Sequence, residues 1–357
     1  MSGAGGYRGV QGGLALFSGS PAVPAGIARR WPIVAEADRA AIQRVLDRGV
    51  FSGLAAPEVK ALEAEFAAFV GTRHCLATNS GTAALHLALA AAGVGPGDEV
   101  IVPALSFIAT AQAVLHQGAV PVFADIDPKT YNLDPAQMEA RVTSRTRAIL
   151  AVHLHGLPAE MDAINALAER DGIPVIEDAA QAHGARYRGR PVGTLALIAA
   201  FSLNSTKNLP AGEGGLFVTA SEECYARAAR ARFNGLDPDM VYDPVRPLDG
   251  EADSLATTHG WMYLPGELTS ALARSQLERL AATTERSQAN AARLTARLAE
   301  LPGVEPPFVA PDRTHVFHKY RVRLDPAPPG VGWAPALLSD PLLSAIPAEG
   351  VEVVLWQ

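Results

Sequence analysis

Cysteine is almost missing from this chain of 357 residues: Cys75 and Cys224 are far apart and outside any CxxC pattern. That scarcity excludes a disulfide framework and a cysteine-built zinc site, and it fits a reducing compartment, so a cytoplasmic protein is expected. Cys75 is expected in the core and Cys224 on an exposed or half-exposed helix position. A surplus of positive charge is missing too. Lys and Arg number 30 against 37 Asp and Glu, a formal net charge of −7, which leaves no basic field for nucleic acid or an anionic membrane. Long apolar runs are lacking. The runs at 83–92 and 195–201 are too short to span a bilayer, and Gly13-Leu-Ala-Leu-Phe17 has no basic segment of the signal-peptide kind before it. His153, His155 and His183 lack HxxxH spacing, so no metal site is expected and they are assigned to the core or the lining of a site. Gly3-Ala-Gly-Gly6 follows no strand and is not a dinucleotide loop.

What is present is alternation. After a Gly-, Ala- and Pro-rich tail or arm at 1–30, short apolar runs alternate with helix-period segments. Strands are predicted at Cys75–Thr78, Glu99–Val102, Val120–Phe123, Ala148–Val152, Pro174–Glu177, Ile198–Phe201 and Gly215–Val218. Helices are predicted at 57–69, 81–92, 107–117, 135–141, 160–171 and 222–233. Apolar strands separated by helices imply an α/β domain, placed at 31–245, with a mostly parallel seven-stranded sheet covered on both faces. Composition shifts at 236–258, read as a loop. Leucines at helix spacing over 266–300 and a strand-like Val316–Leu324 then predict a smaller α+β domain at 246–357, with His318 and Tyr320 in its packing. The sequence stops in mid-strand at Val351–Gln357, so that domain is expected to be truncated.

Ligands of such sheets bind at the carboxyl ends of the strands, where the informative residues fall. Lys207 lies between an apolar strand and a glycine turn; an amine shielded there can be neutral enough to attack a carbonyl. Asn79-Ser80-Gly81-Thr82 joins a strand to a helix, giving either a plain N-cap or an anion site built from free amides and hydroxyls. Asp178 ends a buried strand, where a carboxylate could hold a proton on a heterocyclic nitrogen. Glu177, its neighbour, points to the opposite face. Ser202 ends the next strand, five residues before Lys207, and could meet a phosphate oxygen. Phe107, past another strand end, is either core packing or a ring stacked on a planar ligand. A lysine, a carboxylate, an anion-binding helix start and a stacking aromatic are the set that pyridoxal phosphate requires.

These segments carry a resemblance. Asn79-Ser-Gly-Thr-Ala-Ala-Leu85, Gly97-Asp-Glu-Val-Ile-Val-Pro103, Glu177-Asp-Ala-Ala-Gln-Ala-His-Gly184, Phe201-Ser through Lys207, and Gly212-Glu-Gly-Gly215 together resemble the DegT-type (DnrJ/StrS-like) sugar aminotransferases. The likeness is nearly continuous from Phe51 to Thr219 and looser to Leu324. It implies the aspartate-aminotransferase-like fold (pyridoxal phosphate fold type I) and transfer of an amino group from an amino acid, L-glutamate or L-glutamine, to a keto-sugar or keto-cyclitol. Pyridoxal 5'-phosphate would be the cofactor and pyridoxamine 5'-phosphate its intermediate form, with ping-pong kinetics. Lys207 would be the Schiff-base lysine and proton shuttle, Asp178 the partner of the ring nitrogen, and Gln181 a contact on the ring-hydroxyl side. Phe107 would stack on the ring, and Ser80, Gly81, Thr82 and Ser202 would bind phosphate. Asn234 matches a family position that reaches across a homodimer interface to the other chain's phosphate, which implies shared active sites.

Three departures from the family pattern bear on substrate recognition. Leu203-Asn204-Ser205 stands where many relatives carry histidine or glutamine, Met262 and Leu264 stand where Asn and Arg are common, and the usual C-terminal histidine-containing segment is not found near Trp356-Gln357. Two other readings follow from the same resemblance: a cofactor-binding regulator or pseudoenzyme, and a sugar dehydratase, the latter disfavoured because such enzymes carry histidine in place of Lys207.

Overall fold

The computed structural model describes residues 31–53, 56–236 and 256–325. Helix α1 (Glu36–Arg48) and helix α2 (Pro57–Val70) precede strand β1 (His74–Thr78), helix α3 (Gly81–Ala91), strand β2 (Glu99–Pro103), helix α4 (Ala109–His116) and strand β3 (Val120–Ala124). Helix α5 (Pro135–Glu139), strand β4 (Thr146–Val152), helix α6 (Met161–Arg170) and strand β5 (Val175–Asp178) continue the alternation. A hairpin of β6 (Arg186–Tyr187) and β7 (Arg190–Pro191) leads to β8 (Ile198–Ser202), β9 (Gly215–Thr219) and helix α7 (Glu222–Arg232). After them come α8 (Glu267–Leu277), α9 (Leu280–Leu298), β10 (Val304–Glu305), β11 (Arg313–Thr314) and β12 (Arg323–Leu324).

Seven strands form one sheet in the order β1-β9-β8-β5-β4-β2-β3. Strand β9 runs antiparallel to both its neighbours, and the pairs β8/β5, β5/β4, β4/β2 and β2/β3 are parallel. Six strands therefore point the same way, and the ends of β1, β5 and β8 share one edge with the start of β9. The register there is direct, since Gly215 pairs with both Thr78 and Ser202.

Period-2 alternation explains why the strands are apolar throughout. Ala77, Ile101, Ile149, Ala151, Val175, Ala199, Phe201 and Val218 pack on one face with Phe66 of α2 and Ile164 of α6. Leu76, Val100, Val102, Leu150, Ile176, Ile198, Ala200 and Phe217 pack on the other with Leu85 and Leu89 of α3 and Ala228 of α7.

Helix α2 illustrates a local rule satisfied from a distance. Its N-cap is Ala56, which has no side-chain acceptor, and Pro57 opens the helix. The orphan amide of Val59 is accepted by Glu267 Oε1 of α8 at 2.9 Å. Glu267 Oε2 also accepts from Arg48 at 2.6 Å, so α1, α2 and α8 are joined through one fully buried carboxylate.

The structure departs from the sequence-based expectations in several places. Helix α1 was not anticipated, because few of its positions face a core; Ala41 and Val45 are its buried apolar residues. The segment 266–300 is two helices, broken between Leu277 and Leu280. Val316–Leu324 is strand only at β12, and the turn at Phe317 has a left-handed φ of 49°. Cys224 is buried, as is Cys75. By contacts the chain divides into two compact units. One compact unit comprises Val34–Leu294 with Pro307–Arg321, so the expected small-domain residues His318 and Tyr320 lie within the sheet-bearing unit. Of the other, the described residues are 31–33, Thr295–Pro306 and 322–325, among which β10 and β12 pair antiparallel, with Glu305 opposite Arg323. The tail at 1–30, most of the loop at 236–258 and the terminus at Val351–Gln357 lie outside the described residues. Among the described residues no helix is long and apolar enough to cross a membrane.

Candidate active site

Strand β5 ends on two buried carboxylates that alternate between faces. Asp178, 5% exposed, accepts from Thr110 Oγ1 at 2.8 Å on Oδ2 and from the Ala180 amide at 3.2 Å on Oδ1. Burial pushes its carboxyl above the usual range, and the Thr110 hydroxyl, the Ala180 amide and the nearby Lys207 ammonium pull it back. On the other face Glu177 is held by His153 and by three backbone amides from the turn after β7.

The loop from β8 to β9 carries Lys207. Leu203 N bonds Gly214 O, Ser205 N bonds Gly212 O, and Ala211 N bonds Leu203 O, each at 2.8 Å. Within the loop Lys207 N donates to Asn204 O at 2.9 Å, and Asn204 Nδ2 donates to Glu213 at 2.7 Å. This stitching fixes the lysine backbone one loop away from Asp178. Burial lowers the Lys207 amine below its ordinary value; Asp178 and Glu213 oppose that shift, and Lys319 adds to it. The amine and the carboxylate are thus electrostatic neighbours in one shielded cluster.

The same edge holds the β1–α3 turn. Ser80 caps α3, its Oγ accepting the Ala83 amide at 3.1 Å, which is the bland half of the sequence reading. The cap does not exhaust the site, because the first-turn amides of any helix start project outward unpaired and the dipole is positive there. Gly81 touches the end of β8 so closely that a Cβ on it would lie 2.7 Å from Ser202 Cβ and 3.0 Å from Ser202 Oγ. Glycine here lets the helix start, Thr82 and the Ser202 hydroxyl converge. Residues 261–263 brace this turn from outside. Tyr263 O accepts Asn79 N, Tyr263 N donates to Arg232 O, and Asn234 N donates to Trp261 O, each at 3.0 Å. His86 Nε2 meets Gln117 Oε1 at 2.7 Å while Gln117 Nε2 donates to Val94 O, so Nε2 is the donor and Nδ1 accepts from Tyr263 OH at 3.0 Å.

Gln181 is oriented by a strained turn. His155, with φ 58°, donates its amide to Gln181 Oε1 at 2.7 Å, which leaves the Gln181 NH2 as the free end. Gly156 beside it has φ +96°, and a Cβ there would meet Val316 at 2.6 Å and Gln181 O at 2.9 Å, so the turn seats both Gln181 and the 315–319 segment. That segment brings in His318, whose imidazole is pushed down to about 2 by burial and by the charges of Lys207 and Lys319. His183 is pushed down to about 3 by burial and by Lys207. Both imidazoles are neutral at physiological pH.

Lys207, Asp178, Gln181, Ser202 and the Ser80–Thr82 turn therefore come together at one sheet edge. Phe107 precedes α4 and is 57% exposed, so core packing is ruled out and its ring is open to a planar ligand. Asn234, exposed and left-handed at φ 54°, lies on the 261–263 brace and not among the Lys207 neighbours. Thr110 escaped sequence reading, although its i,i+4 spacing from Ser106 at a helix start was a usable signal. His318 had been assigned to packing away from the site; its 111-residue separation from Lys207 offers no local signal.

Pyridoxal phosphate fits this donor set. A shielded amine, a buried acceptor carboxylate with its donors on one side, and a glycine-lined helix start facing a serine are what an aldehyde, a ring nitrogen and a phosphate need.

Comparison with known proteins agrees. The model of the DegT/DnrJ/EryC1/StrS aminotransferase family matches residues 32–329. The chain is 43% identical over 292 residues to dTDP-3-amino-3,4,6-trideoxy-alpha-D-glucose transaminase of Streptomyces venezuelae, covering 82% of this chain and 73% of that protein. It is 43% identical over 302 residues to L-glutamine:2-deoxy-scyllo-inosose aminotransferase of Streptomyces lividus, covering 82% and 70%. Among solved structures, S. venezuelae DesV in complex with a ketimine intermediate superposes with a TM-score of 0.74 at 38% identity, over 88% of this chain and 85% of that one.

Proposed function

The chain belongs to the DegT/DnrJ/EryC1/StrS aminotransferase family, and from that premise we propose that it moves an amino group from L-glutamate or L-glutamine to a keto-sugar or keto-cyclitol, in ping-pong fashion, at the Lys207 site. It is a pyridoxal phosphate-dependent aminotransferase with the aspartate-aminotransferase-like α/β fold. The observation that carries the assignment of roles is the Lys207–Asp178 pair, shielded together at the strand ends.

When bound, pyridoxal phosphate supplies a carbonyl for the amine and an electron sink for the carbanion. The chain's own groups do the rest. Lys207, its proton affinity lowered by burial, would hold the cofactor's aldehyde carbon through its Nζ, with loss of water, and would move a proton at the substrate carbon once displaced. Asp178 would keep the ring nitrogen protonated. Gln181, its oxygen engaged by the His155 amide, would offer its NH2 to the ring hydroxyl. Phe107 would cover the ring, and Ser80, Gly81, Thr82 and Ser202 would hold the phosphate, joined by Asn234 of the partner subunit in a homodimer with shared sites. Lys319, within electrostatic reach of both Lys207 and His318, gives positive charge for an anionic donor. Relatives named for a dTDP-amino sugar and for scyllo-inosose support the acceptor class.

The test is spectroscopic. Pyridoxal phosphate-loaded protein should lose its visible-edge absorbance on addition of L-glutamate or L-glutamine and regain it with one member of a keto-sugar and keto-cyclitol panel. Lys207→Ala should abolish turnover; normal turnover in that variant would sink the assignment.

A further inference from the structure

We propose that Thr110 is a positioning residue for Asp178, with Ser106 behind it as the second member of a hydroxyl relay. Thr110 is a buried residue in the first turn of α4, reached from Asp178 across 68 residues of sequence. Its Oγ1 donates to Asp178 Oδ2 at 2.8 Å, because an acceptor-only carboxylate leaves no other direction. A hydroxyl has one proton, so the 2.8 Å contact between Ser106 Oγ and Thr110 Oγ1 runs the other way, with Ser106 donating. The polarity is therefore fixed as Ser106 to Thr110 to Asp178.

The relay does two things to the carboxylate. Thr110 on Oδ2 and the Ala180 amide on Oδ1 pin both oxygens, so the plane of the group cannot turn about its terminal torsion. A donor that is itself polarised by a second donor also favours the charged form over the protonated one. The other groups acting on Asp178 are Lys207 from the β8–β9 loop and His153 after β4; the hydroxyl relay comes from a third element, α4. Packing alone does not require this arrangement, since valine would fill the same volume. The inference rests on the reading that Asp178 faces the cofactor's ring nitrogen.

The experiment uses holoenzyme loaded with pyridoxal phosphate labelled with 15N in the ring. The ring-nitrogen shift is followed against pH in the wild type and in Thr110→Val, Thr110→Ser, Ser106→Ala and Asp178→Asn. Thr110→Val should lose ring protonation at a pH about one unit lower than the wild type, equivalent to about tenfold in proton affinity. Its kcat should fall about tenfold with KM held within about twofold. Thr110→Ser should restore both readouts, and Ser106→Ala should move the titration in the same direction by less. If Thr110→Val fails to fold, the Ser106→Ala titration decides, an unshifted curve overturning the proposal. A Thr110→Val titration matching the wild type, with only the melting temperature lowered, overturns it as well while Asp178→Asn still loses protonation. Protonation retained in Asp178→Asn overturns the underlying reading of Asp178 itself, and the relay with it.

Discussion

Glu177 and Asp178 are adjacent carboxylates on one strand, both buried, and they have opposite hydrogen-bond economies. Glu177, on the face packed against α2 and α6, accepts from His153 Nε2 at 2.9 Å, Gly193 N at 2.8 Å, Leu195 N at 2.8 Å and Ala196 N at 3.1 Å. His153 Nδ1 meanwhile accepts the Ala159 amide at 3.1 Å, so Nε2 is the nitrogen that donates to Glu177. Asp178, on the face toward α3 and α4, has two donors, Thr110 and Ala180. A carboxylate offers about four lone-pair directions. Glu177 has filled its set with three backbone amides and the His153 imidazole, and Asp178 has kept part of its set open beside Lys207. Burial alone does not separate a structural carboxylate from a functional one; the number of donors already spent does.

Substitutions can break this comparison. Asp178→Asn should cost the most, on the order of 10²–10³ in kcat, as removal of a preorganised charge from a transition state does, with the melting temperature close to that of wild type. Steady-state kinetics beside calorimetry would check it. Glu177→Gln should do the reverse. Its NH2 would confront amides that need an acceptor, so the protein should lose about 3 kcal/mol of stability, read by urea unfolding. The kcat of the folded fraction should stay near wild type. Equal kinetic damage from the two variants would erase the distinction drawn from their donors.

The sequence displayed one half of this contrast better than the other. Alternation of sheet faces placed Asp178 and Glu177 apart, and apolar runs located all seven strands to within a residue or two; most are buried on both faces, and the partly exposed edge strand β3 is apolar as well. Lys207, Ser202 and the Ser80–Thr82 turn were legible because each sits where an apolar run stops. Thr110 and the 155–156 turn were not, since their importance is a contact made across the fold: Thr110 is read only against Asp178, and His155 acts through its backbone amide on Gln181. Helix α1 was hidden for a related reason. It is held less by an apolar stripe than by Asp38, which binds the junction of α8 and α9 through Arg279.

Asp38 offers the finest test, because it resembles Glu177 in being saturated but owes part of that saturation to a cation. It accepts from the Ala35 amide and Ser275 Oγ at 2.7 Å each, from Gln276 Nε2 at 3.2 Å, and from Arg279 at 2.8 and 3.1 Å. Burial pushes its carboxyl up, yet the bonds from Arg279, Ala35 and Ser275 outweigh burial and hold it below the usual range. Glu58, between Arg274 and Arg48, follows the same pattern. A carboxyl depressed in the folded state contributes stability that is fully present above its unfolded value, about 3.9 for Asp and 4.3 for Glu. That contribution is lost as pH falls through the lower folded value. Asp38→Asn should therefore lower the melting temperature by a few degrees at neutral pH, the effect of about 1 kcal/mol on a chain of this size. The gap from wild type should narrow below about pH 4, where the unfolded Asp is protonated. A gap that stays constant from neutral pH into the acid limb would mean that Asp38 acts through shape and neutral hydrogen bonds alone, and that its charge contributes no more than the donor count of Glu177 already explains.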